Sequence, residues 1–241
     1  MTATLIAGSR GAKRVTRDEL IQFPAPDPTS TWRPVSHREL VNTLHDVMSC
    51  RGMFIEKEQY VVDKGGSRMF GTFDLEWMKM EEYGAAVGFR HATDKSMSIQ
   101  IAVGARVFVC SNMSFLAEMI TVRKHTSRLN LAEEMDKAMY RYQQGFKKLQ
   151  DDIHVQQNTP VEHDRGKSLI YDIFRSGILP LRLFPSVSEN WDTGFNPSGY
   201  VPVTPSAWHL HNACTAPIKE MPPSTAFRAT ARLAKFFASK F

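Results

Sequence analysis

A chain of 241 residues, 42% of them hydrophobic, is long and apolar enough to build one large domain or two small ones. Thirty Lys and Arg against 25 Asp and Glu give a formal charge of +5 and a pI near 9.1, a balance that suits a polyanionic partner. No run approaches the roughly eighteen apolar residues of a membrane span, and Met1 to Ala12 has neither a long apolar stretch nor a small-residue cleavage site, so a cytoplasmic protein without a membrane partner is expected. Cys50, Cys110 and Cys214 lack Cys-x-x-Cys spacing, which argues against a disulfide framework and a cysteine-based zinc site and for reduced, mostly buried thiols.

Residues 1–35 carry Arg10, Lys13, Arg14 and Arg17 and then Pro24, Pro26, Pro28 and Pro34. Proline removes amide donors and fixes φ, so an extended basic arm is expected. Ser36 followed by Glu39 matches a capping box, and Leu40, Leu44, Val47 and Met48 line one face before Gly52, which predicts a helix over residues 37–50. The run from Phe54 to Val62 and the alternating Met69, Gly71, Phe73, Leu75 and Trp77 flank Asp63-Lys64-Gly65-Gly66, the pattern of a β-hairpin. Tyr83 to Arg90 reads as a third strand, and Met97 through Cys110 as a long fourth. Short connections imply an antiparallel meander, because parallel pairs need longer crossovers.

Met135, Met139, Tyr142, Phe146, Leu149 and Ile153 step by three or four residues, predicting a long helix that covers the sheet. Lys167 to Arg175 reads as a shorter helix, Leu179 to Pro205 as a long loop, and Ser206 as the cap of a helix holding Trp208, Leu210 and Cys214. In residues 221–241, Phe227, Ala231, Ala234 and Phe241 alternate with Arg228, Arg232, Lys235 and Lys240 and no acid, an amphipathic basic helix suited to docking on a neighbour or an anionic surface. The expected fold is α+β: an antiparallel β-meander of four or more strands flanked by helices, in a single domain over residues 36–220.

The densest polar cluster, Arg90-His91-Ala92-Thr93-Asp94-Lys95-Ser96, falls at the third turn of the meander. It can bind phosphate through charge-assisted hydrogen bonds, or serve only as a turn in which Asp94 bonds its own backbone. Cys110-Ser111-Asn112 and Arg123-Lys124-His125-Thr126 follow, with Arg128 beyond, and an antiparallel fourth strand places them at the opposite end of the sheet from the Arg90 turn. From Glu82 to Asn130 the cations Arg90, Lys95, Arg106, Arg123, Lys124 and Arg128 face only Glu82, Asp94 and Glu118, a local excess fit for a nucleic-acid backbone. His209 and His211 are only a pair, and Asp164 and Asp172 lack partner spacing, so no metal site is expected. Phosphate-loop, dinucleotide-glycine and nucleophile-elbow patterns are absent, which disfavours ATP hydrolysis, hydride transfer and serine hydrolysis, and no cofactor is expected.

Thr31-Trp32-Arg33-Pro34-Val35, Gly88 through Ser96, Val107-Phe108-Val109-Cys110-Ser111-Asn112, Arg123-Lys124-His125-Thr126 and Leu210-His211-Asn212-Ala213-Cys214-Thr215 together resemble the phage- and plasmid-borne family designated domain of unknown function 932. Ser111 stands where that family has an aspartate, so no catalytic acid is implied there. The order helix, meander, long helix is also similar to the core of single-strand annealing proteins of the Rad-fifty-two type, and this likeness implies Arg90, Lys95, Arg106, Arg123 and Lys124 as DNA-backbone contacts in a homo-oligomer. The leading expectation is single-stranded DNA binding and annealing in phage or plasmid DNA metabolism. The alternatives are an enzyme acting on a nucleotide or nucleic acid, with His91 or His125 as acid/base and Asp94, Lys95 and Asn112 positioning the substrate, and a module that inhibits or recruits a host protein; Asp94, Ser96, Asn112 and Asn212 form the polar motif.

Overall fold

The computed structural model describes residues 12–76, 83–107, 113–115, 121–194, 204–221 and 223–241. Contacts within the chain divide it into two compact units, so the span 36–220 contains parts of both. The sheet unit holds Ser9–Gly104 and Glu118–Gly145; the helical unit holds Ala105–Ala117 and Phe146–Phe241.

In the sheet unit, α1 spans His37–Cys50. The Ser36 hydroxyl accepts the Glu39 amide at 3.0 Å, relieving one of the helix's open donors. Glu39 does not complete the capping box; its carboxylate accepts from Arg33 at 2.7 Å. Leu40, Val41, Leu44 and Met48 are buried, the face that the three- and four-residue spacing predicts. At the far end, Arg51 clamps both carboxylate oxygens of Asp136 at 2.7 Å, a bidentate pair that fixes the α1 terminus against α2, Leu131–Asn158.

The strands are β1 (Lys13–Val15), β2 (Ile55–Val62), β3 (Arg68–Leu75), β4 (Tyr83–Ala92) and β5 (Ile99–Val107), neighbours in that order. β1 to β4 pair antiparallel. The segment expected as an extended arm therefore contributes an edge strand, Lys13–Val15 on Val62–Tyr60, and a 3-10 turn at Asp18–Gln22 that buries Leu20. Gly66 turns the β2–β3 hairpin at φ +74°, a conformation that favours glycine. Phe89 lies across Gly71 on the neighbouring strand, and a β-carbon at residue 71 would sit 2.2 Å from its ring. Tyr60, Phe73 and Phe89 form a ring cluster, with Phe73 and Phe89 centroids 4.8 Å apart.

β6 (Met113–Phe115) lies in the helical unit, and β7 (Thr121–Arg123) in the sheet unit. The helical unit also holds α3 (His163–Arg175), α4 (Phe184–Asp192), α5 (Ala207–Thr215) and α6 (Pro223–Ala238). The region expected as a long loop from Leu179 to Pro205 thus contains α4, whose Val187 and Trp191 are buried; residues 195–203 lie outside the described residues. Ser206 caps α5 as expected, with His209 as the reciprocal partner in a capping box. On α6, Ala229, Leu233 and Phe237 enter the core with Leu169, Ile173, Val187, Trp191, Leu210 and Cys214. The face that enters the core is thus carried by Ala229, Leu233 and Phe237 rather than by the set expected from the sequence, of which Ala231 is buried and Phe241 packs against the same core partly buried. Cys214 is buried and its thiol pushed up by desolvation, whereas Cys50 is exposed, against expectation, at the end of α1. Among the described residues, no helix is long and apolar enough to cross a membrane.

Candidate nucleic-acid interface

β7 pairs antiparallel with the beginning of β5, Ile99 opposite Arg123 and Ile101 opposite Thr121. This register overturns the expectation that the Arg123 motif and the Arg90 turn lie at opposite ends of the sheet. The chain returns along β5 before reaching residue 123, so Lys124 and His125 stand beside the turn between β4 and β5. The segment before α1 reaches the same place: Ser127 donates its amide to Thr31 at 3.2 Å, and Val35 donates its amide to His125 Nδ1 at 3.1 Å. Three stretches far apart in sequence, 31–37, 90–96 and 123–128, meet at one end of the sheet unit.

Beneath this surface lies a cluster of three buried histidines. His37 Nε2 faces the Gly66 carbonyl at 2.9 Å and can only donate to it, so in the neutral ring Nδ1 accepts from His91 Nε2 at 2.8 Å. That leaves His91 Nδ1 as a bare acceptor. His125 receives the Val35 amide at Nδ1, so its proton sits on Nε2, which is a buried donor without a partner. The His91 and His125 rings stack at 5.6 Å. Desolvation lowers the pKa of all three, most of all for His91, where His37 and His125 add to it. The cluster is neutral at physiological pH. His91 is 0% exposed and His125 5%, so neither proposed acid/base stands on the surface.

The turn above uses most of its polar groups on itself. Ser96 donates its amide to Asp94 at 3.0 Å, Ser67 donates its hydroxyl to the other Asp94 oxygen at 2.9 Å, and Arg68 bonds the Ser96 hydroxyl at 3.1 Å. Hydrogen bonds from Ser96 lead the causes that hold the Asp94 carboxyl below its usual range. Lys95 takes φ +68°, a left-handed conformation that few non-glycine residues adopt, and places Nζ 4.5 Å over the Trp32 ring.

The expected cation set is only partly at the surface. Arg90 is 5% exposed and donates from Nε and Nη2 to Gln100 Oε1, so it braces β4 on β5. Arg123 pairs with Glu134 at the start of α2. Lys124 and Arg128 are exposed, and among the described residues neither has an ion-pair partner. Arg106 falls on β5, and Asn112 lies outside the described residues. Asn212 belongs to the helical unit, where it is buried and donates to the Trp208 carbonyl at 3.0 Å.

Sequence reasoning missed Trp32 and His37 as site members. Trp32 stands out in the sequence only as part of the Thr31-Trp32-Arg33-Pro34-Val35 stretch, without a role of its own, and His37 looks like any first residue of a helix. Among the described residues, no group of three or more His, Cys, Asp and Glu side chains is arranged to hold a metal ion. Neither models of known protein families nor curated proteins nor solved structures match the chain.

Proposed function

We propose that the sheet unit binds single-stranded nucleic acid over Trp32, Lys95, Lys124 and Arg128, and that it does so as an annealing protein of mobile-element DNA metabolism that assembles on the strand. The observation that carries this reading is the exposed Lys95 held over Trp32 beside two cations with no carboxylate partner. Single strands are bound by cations that follow the phosphates and by aromatic rings on which bases stack, and a tryptophan serves any base because each has a π face. Arg33, Arg51, Arg123 and Lys137, by contrast, are each neutralised by a neighbouring acid. Acid–base chemistry by His91 or His125 has less support, because both rings are buried and neutral.

The test is titration of an oligothymidylate across a salt series. Affinity should fall steeply between about 50 and 200 mM salt, and replacing both Lys124 and Arg128 by Ala should flatten the slope by about 0.7 for each phosphate that is no longer neutralised. Trp32→Ala should cost about 1–3 kcal/mol of binding while leaving the slope unchanged. Sedimentation with the strand present should show a larger assembly than without it. An absence of binding at low salt, or binding insensitive to all three side chains, overturns the reading.

A further inference from the structure

The helical unit has its own concentration of unneutralised charge. A cleft of about 810 Å³ is lined by Asp172, Arg175, Ser176 and Ile178 from the end of α3 and by Arg232, Lys235, Phe236 and Lys240 from α6 and the residues after it. Four cations share it with one carboxylate. Asp172 does little to neutralise them, since its only partner among them, Arg175, stands 3.8 Å away with the guanidinium side chain 71% exposed. Arg232 is oriented by the backbone: its two terminal nitrogens donate to the Gly177 and Ser176 carbonyls at 2.8 and 3.0 Å, fixing a guanidinium at the rim. Lys235 has no ion-pair partner among the described residues, and Lys240 lies over the Phe236 ring at 5.6 Å.

This arrangement follows from the α6 sequence. Ala229, Leu233 and Phe237 recur at four-residue steps and are buried, which turns Arg228, Arg232 and Lys235 outward, and no acid occurs after Glu220 to offset them. Like charges held around one concavity repel, and the repulsion is relieved by an anion. Ile178 is buried in the wall and Phe236 is half-buried, so the cleft joins an apolar surface to a cationic rim. The recess is open to solvent, and it is broad enough for a nucleotide-sized ligand to lie against one wall.

We propose that this cleft is a binding site for a compact phosphate-bearing ligand of nucleotide size, with Arg175, Lys235 and Lys240 contacting the phosphates and Phe236 and Ile178 the apolar part. The site shares no residue with the strand-binding face, and neither proposal depends on the other.

The experiment is titration calorimetry of the full chain at constant ionic strength, with tripolyphosphate and an oligothymidylate as the two probes. Tripolyphosphate should bind saturably, and the double variant Arg175→Ala, Lys235→Ala should weaken it at least about tenfold, as expected for removing charge-assisted hydrogen bonds. Lys124→Ala with Arg128→Ala should leave tripolyphosphate binding within about twofold. Arg232 is left intact because its backbone bonds brace the end of α3. Unchanged circular dichroism and thermal midpoint certify the variants as folded; should the double variant unfold, Lys240→Ala, at an exposed position past α6, replaces it and must show the weaker binding. No saturable heat with tripolyphosphate, equal weakening by the sheet-face pair, or a cleft that takes the oligothymidylate and not tripolyphosphate each overturns the proposal.

Discussion

The Tyr142 hydroxyl accepts the Ala86 amide at 3.1 Å and donates to the Gly104 carbonyl at 2.8 Å, within a ring that is 0% exposed. In the sequence it is one more member of an apolar stripe; in the fold it secures α2 to β4 and β5. Tyr142→Phe should lower the stability of the sheet unit by about 1–3 kcal/mol, because a buried amide and carbonyl lose a partner while the ring's volume is kept. Tyr140, two positions earlier and 53% exposed, is the control, and Tyr140→Phe should change stability by less than about 0.5 kcal/mol. Urea midpoints at unchanged m-value read both. His91 and His125 show the same limit of sequence reading at another position. Their side chains were legible as polar groups near a turn, but their stacking over a separation of 34 positions depends on the β5–β7 register.

At the scale of the element, α3 and α4 illustrate how packing overrides local preference. Gly166 lies inside α3, where glycine costs roughly 1 kcal/mol relative to alanine. A β-carbon there would approach Trp191 Cε2 to 2.2 Å, and the indole Nε1 donates to the His163 carbonyl at 3.1 Å, so the ring is held against the glycine. Gly166→Ala is therefore expected to destabilise the helical unit by about 1–3 kcal/mol despite better helix propensity, and a thermal midpoint higher than the parent's would refute this. The Phe184–Asp192 segment, with Pro185, Ser186, Ser188 and Asn190, reads as a loop because these are poor helix formers; burial of Val187 and Trp191 against the core makes it α4. The long α2 and the capped α1 and α5 were legible because their apolar periodicity and caps agree with the packing that followed.

For the whole molecule, both units bury histidines that are neutral in the fold: His37, His91 and His125 in the sheet unit, and His211 in the helical unit. His211 donates from Nδ1 to Gln156 at 2.9 Å and stacks on Phe237 at 4.5 Å, and desolvation lowers its pKa to about 4. Between its unfolded value of 6.5 and that of the fold, the unfolded chain binds more protons, so stability is fully present above pH 6.5 and is lost progressively toward pH 4. His211 alone should contribute up to about 3 kcal/mol to this loss, and the three histidines of the sheet unit act in the same direction. Urea midpoints measured from pH 7 to 4.5 should fall, and His211→Gln should flatten the fall in the helical unit; an unchanged pH dependence would contradict the assignment.

The α+β class, the first helix, the hairpin, the meander and the amphipathic character of the longest helix were determined by the sequence alone, since each rests on periodicity, capping or turn chemistry within a dozen or so neighbouring residues. What only the tertiary structure decided is which cations face solvent and which are spent on Gln100 or Glu134, and that Trp32, Lys95 and the 123–128 segment share one end of the sheet. The physical reason is that charge is local in sequence, whereas its neutralisation depends on side chains brought close by strand register and helix packing, and these are set by the core as a whole.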